Sequence, residues 1–407
     1  MKIFLVSYGG GHVAALAPVA KKLEDAGHEV VFLALTTAKQ YLEKRGMQSI
    51  GFKDLLFLAD ENVLELGRKL AAEIQANNAV SLEETIAYLG ISFSDLIAEK
   101  GEEEAEKLYA KQQRQAFLPV RTMKKILEYY KPDVVVATNS PRSERAAIMV
   151  AGELGIPAVC IVDLFAVQER KWIGEKGFAN RICVLNQAVK EMFLECGRND
   201  DEVIVTGNPA FDILFADSAR TEGREMRVRS GWDDGRINIL FASQPEPERH
   251  PFNGKTGNPL LPDEIEDALR GFVATNDGYR LIIRYHPSQN CIFKYGKNVE
   301  LSTQKEEISA VLHAIDMVIT ITSTVAVEAF IIGKPVITVD KSIFSDDVDY
   351  VAMGIAVGVK NWQELTDAIL EQSKLLNNFS LSKHDKNKDT GCAGDKMVEV
   401  IEALVGG

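Results

Sequence analysis

The stretch KIFLVSYGGGHVAALAPVAKKLEDAGHEVVFLAL at residues 2–35 decides the fold. Segment Lys2–Ser7 is an apolar run of strand length, and Glu29–Leu35 is a second one. Between them, apolar residues at helical spacing predict a helix over about 13–26, which Gly27 ends. Strand, helix and strand of these lengths form the βαβ unit of a doubly wound parallel sheet.

The same alternation continues along the chain and predicts two α/β domains. In the first domain, residues 1–215, we expect strands at Val134–Thr138, Ala158–Val162, Arg181–Leu185 and Val203–Thr206, and a helix at Arg145–Leu154. In the second domain, residues 237–395, we expect strands at Ile237–Ala242, Arg280–Tyr285, Asp316–Ile321 and Pro335–Val339. Two such Rossmann-like sheets facing each other would bind ligands at the carboxyl ends of their strands.

Four segments depart from this alternation. Residues 54–130 are rich in Glu, Ala, Lys and Leu, which predicts several amphipathic helices inserted in the first domain. These helices would bind the acceptor or form a lid, or they would be a solvated embellishment or an oligomer contact. Residues 216–236 are polar and predict a linker, residues 376–392 predict a loop, and residues 396–407 predict a C-terminal helix.

The composition is typical of a globular protein and argues against a nucleic-acid partner. Of the 407 residues, 46% are hydrophobic and 26% are charged. The net charge of −13 repels a phosphate backbone. A small phosphorylated ligand remains compatible with this charge, because helix dipoles and a few cations can dominate locally.

The cysteines and the hydropathy pattern favour a cytoplasmic protein. The five cysteines are scattered and form no CxxC pair, so neither disulfides nor a zinc site are expected. No other metal motif is found, and we expect neither a metal nor a cofactor. No apolar run approaches the length of about 20 residues that spans a bilayer, so no transmembrane segment is expected. Oligomerisation is left open.

Three adjacent glycines separate the first strand from the first helix. Glycine permits a tight turn and the close approach of a ligand, and a helix N-terminus attracts anions. We therefore expect Gly10 and Gly11 to contact the donor. The run Gly9-Gly10-Gly11 does not complete the G-x-G-x-x-G dinucleotide motif. The alternative is a turn that only lets the helix pack on the sheet.

Two residues in the first domain are candidates for a general base. His12 follows the glycines at the helix start, where the helix dipole helps to keep an imidazole neutral and able to accept a proton. Asp163 follows the strand Ala158–Val162 at the same edge of the predicted sheet. Either residue could instead form a cap or a structural hydrogen bond, and the choice between them stays open.

In the second domain, His286-Pro287 follows the strand Arg280–Tyr285. An imidazole at a strand's carboxyl end can donate a hydrogen bond to a phosphate oxygen, and Arg284 would add positive charge. The alternative is a histidine satisfied by backbone.

A cluster of hydroxyls precedes a predicted helix at Val325–Ile332. Thr322, Ser323 and Thr324 would cap this helix or bind a phosphate. Glu328, one turn into the helix, suits the vicinal hydroxyls of a ribose, although a carboxylate near a helix N-terminus is also favourable by itself.

Taken together, these motifs resemble those of GT-B-fold glycosyltransferases. The opening through Gly11-His12-Val13 and Gly27-His28-Glu29 resembles peptidoglycan and macrolide glycosyltransferases. Thr206-Gly207-Asn208-Pro209 with Asp212 is similar to a domain-end motif of UDP-N-acetylglucosamine 2-epimerases, where we expect a hinge. His286-Pro287 and Ser323-Thr324 resemble the HP and Ser-Ser or Ser-Thr motifs of sialyltransferases and CDP-glycerol glycerophosphotransferases, which contact the phosphate of a cytidine nucleotide.

The resemblance implies a metal-independent, inverting glycosyltransferase with a cytidine-linked donor, such as a CMP-activated nonulosonic acid. A UDP-sugar donor is the less favoured option, and the acceptor would be a glycan or protein hydroxyl. The chain lacks the acidic-acidic-glycine base motif of sialyltransferases in its first half, so the base stays open. A UDP-N-acetylglucosamine 2-epimerase or hydrolase, and a non-catalytic nucleotide-sugar-binding protein, are the two alternatives.

Overall fold

A computed structural model describes residues 1–72, 80–250, 253–378 and 392–406 of the chain. The chain divides into two compact units. Unit 1 comprises Met1–Asp212 with Gly391–Gly407, and unit 2 comprises Ile213–Thr390. Each unit contains its own six-stranded parallel sheet.

The strands of unit 1 are β1 (Lys2–Ser7), β2 (Glu29–Ala34), β3 (Val134–Thr138), β4 (Ala158–Ile161), β5 (Arg181–Val184) and β6 (Val203–Val205). They lie in the order β2-β1-β3-β4-β5-β6. Every residue of β3 is buried, which is typical of a parallel strand covered on both faces. The strand order reverses between β1 and β3, and ligands bind at such a switch point in open α/β sheets.

Helix α1 (Gly11–Asp25) connects β1 to β2. Its residues Val13, Leu16, Val19 and Leu23 are buried against the sheet, as their helical spacing predicts. The βαβ unit at the start of the chain is therefore confirmed.

The helical insertion lies between β2 and β3. It contains α2 (Thr37–Glu43), α3 (Val63–Ala71), α4 (Leu82–Lys100), α5 (Glu102–Gln112) and α6 (Val120–Tyr130), with 3-10 helices at Phe52–Leu58 and Gln113–Ala116. Buried carboxylates tie it together. Glu84 accepts from the Phe52 N–H at 2.9 Å, and Asp95 accepts from the Thr122 N–H at 2.8 Å. The insertion is thus a packed part of unit 1.

Three further helices follow in unit 1, α7 (Ser143–Leu154), α8 (Arg170–Ile173) and α9 (Gln187–Glu195). A 3-10 helix at Pro209–Phe215 then leads along the chain into unit 2.

Residues 217–229 form helix α10 (Asp217–Arg229), so the prediction of a linker over 216–236 is wrong for most of that segment. The buried stripe of α10 consists of Ala219, Gly223 and Met226. Because two of these three residues are small, the helical period is weak in a sequence that is otherwise polar. Arg227 donates to both carboxylate oxygens of Asp316, at 2.8 and 3.1 Å, and anchors α10 within unit 2.

The strands of unit 2 are β7 (Ile237–Ala242), β8 (Tyr279–Arg284), β9 (Val299–Leu301), β10 (Met317–Thr320), β11 (Val336–Val339) and β12 (Val357–Val359), in the order β12-β11-β10-β7-β8-β9. The helices are α11 (Leu261–Thr275), α12 (Ile308–Ala314), α13 (Val325–Ile331) and α14 (Trp362–Asn378). Most of the loop predicted over 376–392 lies outside the described residues.

The last helix, α15 (Ala393–Val405), belongs to unit 1. Its residues Met397 and Ile401 join the core of that unit. Asp212 caps its first turn, accepting from the Ala393 N–H at 3.1 Å and the Gly394 N–H at 2.8 Å. Asp212 therefore caps a helix of unit 1, a structural role that the sequence did not predict for it. Across the helices of the described residues, none is both long and apolar enough to cross a membrane.

Candidate functional site

The carboxyl ends of β1, β3 and β4 bring several predicted site residues of unit 1 together. These strands are neighbours in the sheet, so the loops that follow them share one edge. The loops contribute the glycine turn with His12, the segment Asn139–Arg142, and Asp163.

The three glycines form the tight turn that the sequence predicts. Gly10 precedes α1 with φ of 60°, a conformation that favours glycine. A side chain at Gly9 would place its Cβ 2.1 Å from the Thr37 hydroxyl, so only glycine fits there without a shift. A Cβ on Gly11 would lie 3.3 Å from Oδ2 of Asp163. The turn thus holds the start of α1 close to the end of β4, and a donor contact by Gly10 and Gly11 stays a prediction.

His12 and Asp163, the two alternative bases, are neighbours. Nδ1 of His12 lies 3.5 Å from Oδ2 of Asp163, and their side chains are 24% and 18% exposed. The backbone of Asp163 is fixed on both sides, because its N–H donates to Asn139 at 3.1 Å and its carbonyl accepts from Asn208 at 2.6 Å. A histidine beside a carboxylate on a fixed backbone can act as a general base with an orienting partner.

Glu144 is a third ionisable group at this edge, which the sequence analysis missed. It is fully buried at the start of α7, and its Oε1 accepts from the Tyr8 N–H at 2.5 Å. Burial raises the pKa of Glu144, against the opposing effect of nearby His12. A glutamate two residues after the turn that follows a buried strand was the available signal.

In unit 2, the turn after β8 fixes the tautomer of His286. Its Nδ1 lies 3.2 Å from the Ser288 N–H, which donates to it, and 2.7 Å from the Ser288 hydroxyl. Because Nδ1 accepts, the neutral ring carries its proton on Nε2. The side chain is exposed next to Pro287, so this Nε2–H is available to an anionic ligand.

The hydroxyl cluster follows β10, and its members differ in their contacts. Gln244 brackets Thr322, donating to its hydroxyl at 2.8 Å and accepting from its N–H at 3.1 Å. The Ser323 hydroxyl accepts from the Val325 N–H at 3.3 Å. Thr324 is exposed and makes no side-chain cap bond. Thr324 is therefore the hydroxyl of this cluster most accessible to a ligand.

The loops after β7 and β8 are joined through Gln289, whose amide donates to the Ser243 hydroxyl at 3.2 Å. Ser243 and Gln244 both follow β7, the strand between β8 and β10. The structure thus links the His286 turn to the hydroxyl cluster by side-chain contacts.

The guanidinium of Arg284 hydrogen-bonds to groups within unit 2. Its guanidinium donates to the Ser302 hydroxyl at 3.0 Å and to the carbonyls of Thr303 at 2.7 Å and Glu306 at 2.9 Å. Burial lowers its pKa. These contacts support the loop beside the His286 turn, and a direct donor contact of Arg284 stays a prediction.

Glu328 is partly buried on α13. Burial raises its pKa to about 7, against the opposing effect of Arg284. The carboxyl can therefore change its charge near neutral pH, which matters for any hydroxyl group that it binds.

Two further residues of unit 2 were missed by the sequence analysis. Buried Glu246 accepts from the Ser342 hydroxyl at 2.7 Å and from the Ile343 N–H at 2.8 Å. Buried His250 contacts Asp347 at 2.6 Å. These contacts fasten the loop after β7 to the loop after β11, on either side of the hydroxyl cluster. The sequence pattern did not predict these contacts, because they depend on the order of the strands in the sheet.

No group of three His, Cys, Asp or Glu side chains with metal-binding geometry occurs among the residues that the structure describes.

Solved structures show the fold class. The UDP-GlcNAc 2-epimerase of Neisseria meningitidis, bound to UDP-GlcNAc, is similar with a TM-score of 0.61 at 15% identity, over 99% of this chain and 100% of that chain. A putative UDP-N-acetylglucosamine 2-epimerase from Listeria monocytogenes gives 0.63 at 14%, over 99% and 96%. MurG of Acinetobacter baumannii gives 0.52 at 14%, over 99% of each chain. The expected GT-B fold is confirmed.

The family follows from the sequence itself. The profile of the CDP-Glycerol:Poly(glycerophosphate) glycerophosphotransferase family matches residues 166–392, more than half of the chain. The chain belongs to this family and is a transferase. The matched segment contains His286, the hydroxyl cluster and Glu328, and it begins after Asp163. No curated protein matches the chain significantly.

Proposed function

We propose that the chain transfers a phosphorylated polyol from a cytidine diphosphate-linked donor to a hydroxyl group of a surface-glycan acceptor. The observation that carries this proposal is the family match over the segment that holds the His286 turn and the hydroxyl cluster. The name of that family specifies CDP-glycerol as donor, which agrees with the cytidine-linked donor implied by the HP and Ser-Thr motifs.

Unit 2 binds the nucleotide in this proposal. The Nε2–H of His286 donates to a phosphate oxygen, supported by the Nδ1 contacts with Ser288. The hydroxyls of Ser323 and Thr324 donate to the same phosphates. Ionised Glu328 accepts from the ribose hydroxyls, while Arg284 holds the neighbouring loop.

Unit 1 activates the acceptor in this proposal. His12 accepts the proton of the acceptor hydroxyl, and Asp163 stabilises the imidazolium that forms. The hydroxyl oxygen attacks the β-phosphorus of the donor. The bond from that phosphorus to the bridging oxygen breaks, and CMP leaves with the electron pair. This single displacement inverts the configuration at phosphorus.

A CMP-linked nonulosonic acid is the second candidate donor, because the HP and Ser-Thr motifs also resemble those of sialyltransferases. The same base would serve, and CMP would again leave. The bond formed would then be to the anomeric carbon, and the transfer would be a glycosyl transfer.

Donor discrimination tests the proposal. The purified protein is incubated separately with CDP-glycerol, a CMP-linked nonulosonic acid and UDP-GlcNAc, each with glycerol 3-phosphate as acceptor, and the released nucleotide is measured. We expect CMP from CDP-glycerol, and none from the His12→Ala variant. CMP from the nonulosonic donor alone would replace the first candidate by the second. Conversion of UDP-GlcNAc without acceptor would favour an epimerase, and no reaction with any donor would overturn the proposal.

A further inference from the structure

Two aromatic rings at the carboxyl edge of unit 1 each have an arginine guanidinium over one face. Tyr8 follows β1 and Tyr88 lies on α4 of the insertion, with ring centroids 6.0 Å apart. The guanidinium of Arg142 lies 4.2 Å from the Tyr8 ring centre, and that of Arg114 lies 5.9 Å from the Tyr88 ring centre. Both cations therefore belong to one small region, although Arg114 comes from the insertion and Arg142 from the loop after β3.

Several shielded arginines of the molecule contact a carboxylate, whereas Arg114 and Arg142, like Arg181 and Arg284, form no ion pair in the described residues. The shielded arginines that contact a carboxylate are Arg198, Arg227, Arg236, Arg270 and Arg280. Arg114 and Arg142, also only partly exposed, have no carboxylate within ion-pair distance in the described residues. Arg145, one turn along α7, shares this property and lies 5.0 Å from the Trp172 ring centre.

Buried polar atoms without partners accompany the cations. The Tyr88 hydroxyl belongs to a side chain that is 98% buried, and neither it nor Nε of Arg142 has a hydrogen-bond partner in the described residues. The Tyr88 hydroxyl interacts electrostatically with both Arg114 and Arg142. Unpaired buried donors are rare in folded proteins, and a bound ligand is one reason for them.

The net charge of the region favours an anion. Glu144 is the nearby acid, and burial raises its pKa and so favours its uncharged form. In the described residues no ion pair with a carboxylate neutralises either guanidinium, although the chain as a whole carries a net charge of −13. Guanidinium forks bind phosphate oxygens with charge-assisted hydrogen bonds.

We propose that Arg114, Arg142 and the Tyr88 hydroxyl form a binding subsite for a phosphate group of the acceptor. The helical insertion supplies Arg114 and Tyr88, so its role is acceptor recognition. His12, in the first turn of α1 and four residues after Tyr8, would then receive the hydroxyl of the same acceptor molecule. The inference rests on the proposed function in naming the acceptor as the ligand.

Calorimetry with glycerol 3-phosphate, and with glycerol as the uncharged counterpart, tests the subsite. Saturating CDP is present in every titration, so that phosphate sites of unit 2 are filled. We expect the wild-type protein to bind glycerol 3-phosphate and not glycerol. Arg114→Ala and Arg142→Ala should each weaken this binding about tenfold or more, because each removes a charged donor. Arg68→Ala removes an exposed arginine from α3 and should have no effect.

Tyr88→Phe keeps the ring and its packing and removes only the hydroxyl. This variant tests the subsite if an arginine variant does not fold. We expect it to weaken binding about threefold to tenfold, as for one lost hydrogen bond. Wild-type protein that does not bind glycerol 3-phosphate, or variants that bind it as the wild type does, would overturn the subsite. Normal phosphate binding with no CMP release from any donor would instead sink the proposed function and leave the subsite standing.

Discussion

At the carboxyl edge of unit 2, the polar side chains around the hydroxyl cluster are paired with one another, whereas at the same edge of unit 1 several are buried without partners in the described residues. The Thr338 and Ser345 hydroxyls are the exceptions in unit 2. Gln244 brackets Thr322, and Glu246 binds the loop after β11. Paired groups hold their positions before a ligand arrives, so binding costs little reordering. The edge of unit 2 is therefore suited to hold a nucleotide of fixed shape.

The edge of unit 1 has a different character. The hydroxyls of Ser7, Thr138 and Ser143 are fully buried and have no hydrogen-bond partner in the described residues. His12 and Asp163 are at the same edge of this sheet, and their side chains lie at ion-pair distance from each other. Natural folds tolerate unsatisfied polar groups mainly at functional positions. From this comparison we expect the chemistry to belong to unit 1 and the nucleotide to unit 2.

Replacing His12 should produce the largest effect. His12→Ala removes the proposed base, and we expect the turnover rate to fall about 100-fold or more, since positioned general bases contribute factors of about 10²–10⁴. CMP release under saturating substrates measures it. His28→Gln, which changes a histidine paired with Glu402, serves as control and should keep its activity. Loss of nucleotide affinity in His12→Ala would contradict the division of roles.

Asp163→Asn should have a smaller effect than His12→Ala. The amide keeps the size of the side chain and removes the charge that stabilises an imidazolium. We expect a fall in kcat of about tenfold or more with little change in KM. The exposed Asp201→Asn is the matched control. If Asp163→Asn were inactive while His12→Ala retained activity, Asp163 would be the base.

Glu328→Gln should change the pH dependence of unit 2. The folded-state pKa of Glu328 is raised by burial from its ordinary value of 4.5 to about 7. Between these values the folded state keeps a proton that the unfolded chain loses, so the free energy of unfolding falls as pH rises through this window. The Gln variant lacks this term. Its melting temperature relative to the wild type should therefore increase between pH 5 and pH 8.

The affinity for CDP gives a second readout of Glu328. It should rise with pH around 7 in the wild type, because the ionised carboxylate accepts from ribose hydroxyls, and it should be flat in Glu328→Gln. Equal pH profiles for the two proteins in both measurements would show that Glu328 does not titrate in this range.

The smallest effect is expected from Ser288→Ala. This variant removes the hydroxyl near Nδ1 of His286 and leaves the backbone N–H that also donates to Nδ1. The tautomer is then held less firmly, and we expect CDP affinity to fall about twofold to fivefold. Ser345→Ala, in a loop of the same unit, is the control. A loss as large as that of His286→Ala would mean that Ser288 itself binds the phosphate.

The fold was predictable because its strands are short apolar runs between glycine turns and helical patterns. The strands Lys2–Ser7 and Ile237–Ala242 have the bounds expected from these patterns. Strands β9 and β12 were missed because Glu or Gly interrupts each three-residue apolar run, whereas the uninterrupted run of β6, of the same length, was expected. Helix α10 was missed because its buried stripe contains one large apolar residue, Met226, and two small ones.

The candidate site was predictable only in part. Residues at strand ends, such as His12 and His286, could be found because parallel strands present their carboxyl ends at one edge. The neighbourhood of Asp163 and His12 depends on strand order, which pattern alone does not reveal. The contacts of Arg114 depend on how the insertion packs, so no local signal assigned it to the site, whereas Glu144 could have been found from its position after β3.

Calorimetric titration of CDP into the wild type, His286→Ala and His12→Ala tests the central claim most directly. The division of roles predicts that CDP binds the wild type and His12→Ala equally, and His286→Ala at least about tenfold more weakly, since a hydrogen bond to a charged phosphate is lost. Equal CDP binding by His286→Ala and the wild type, or loss of binding in His12→Ala, would contradict it.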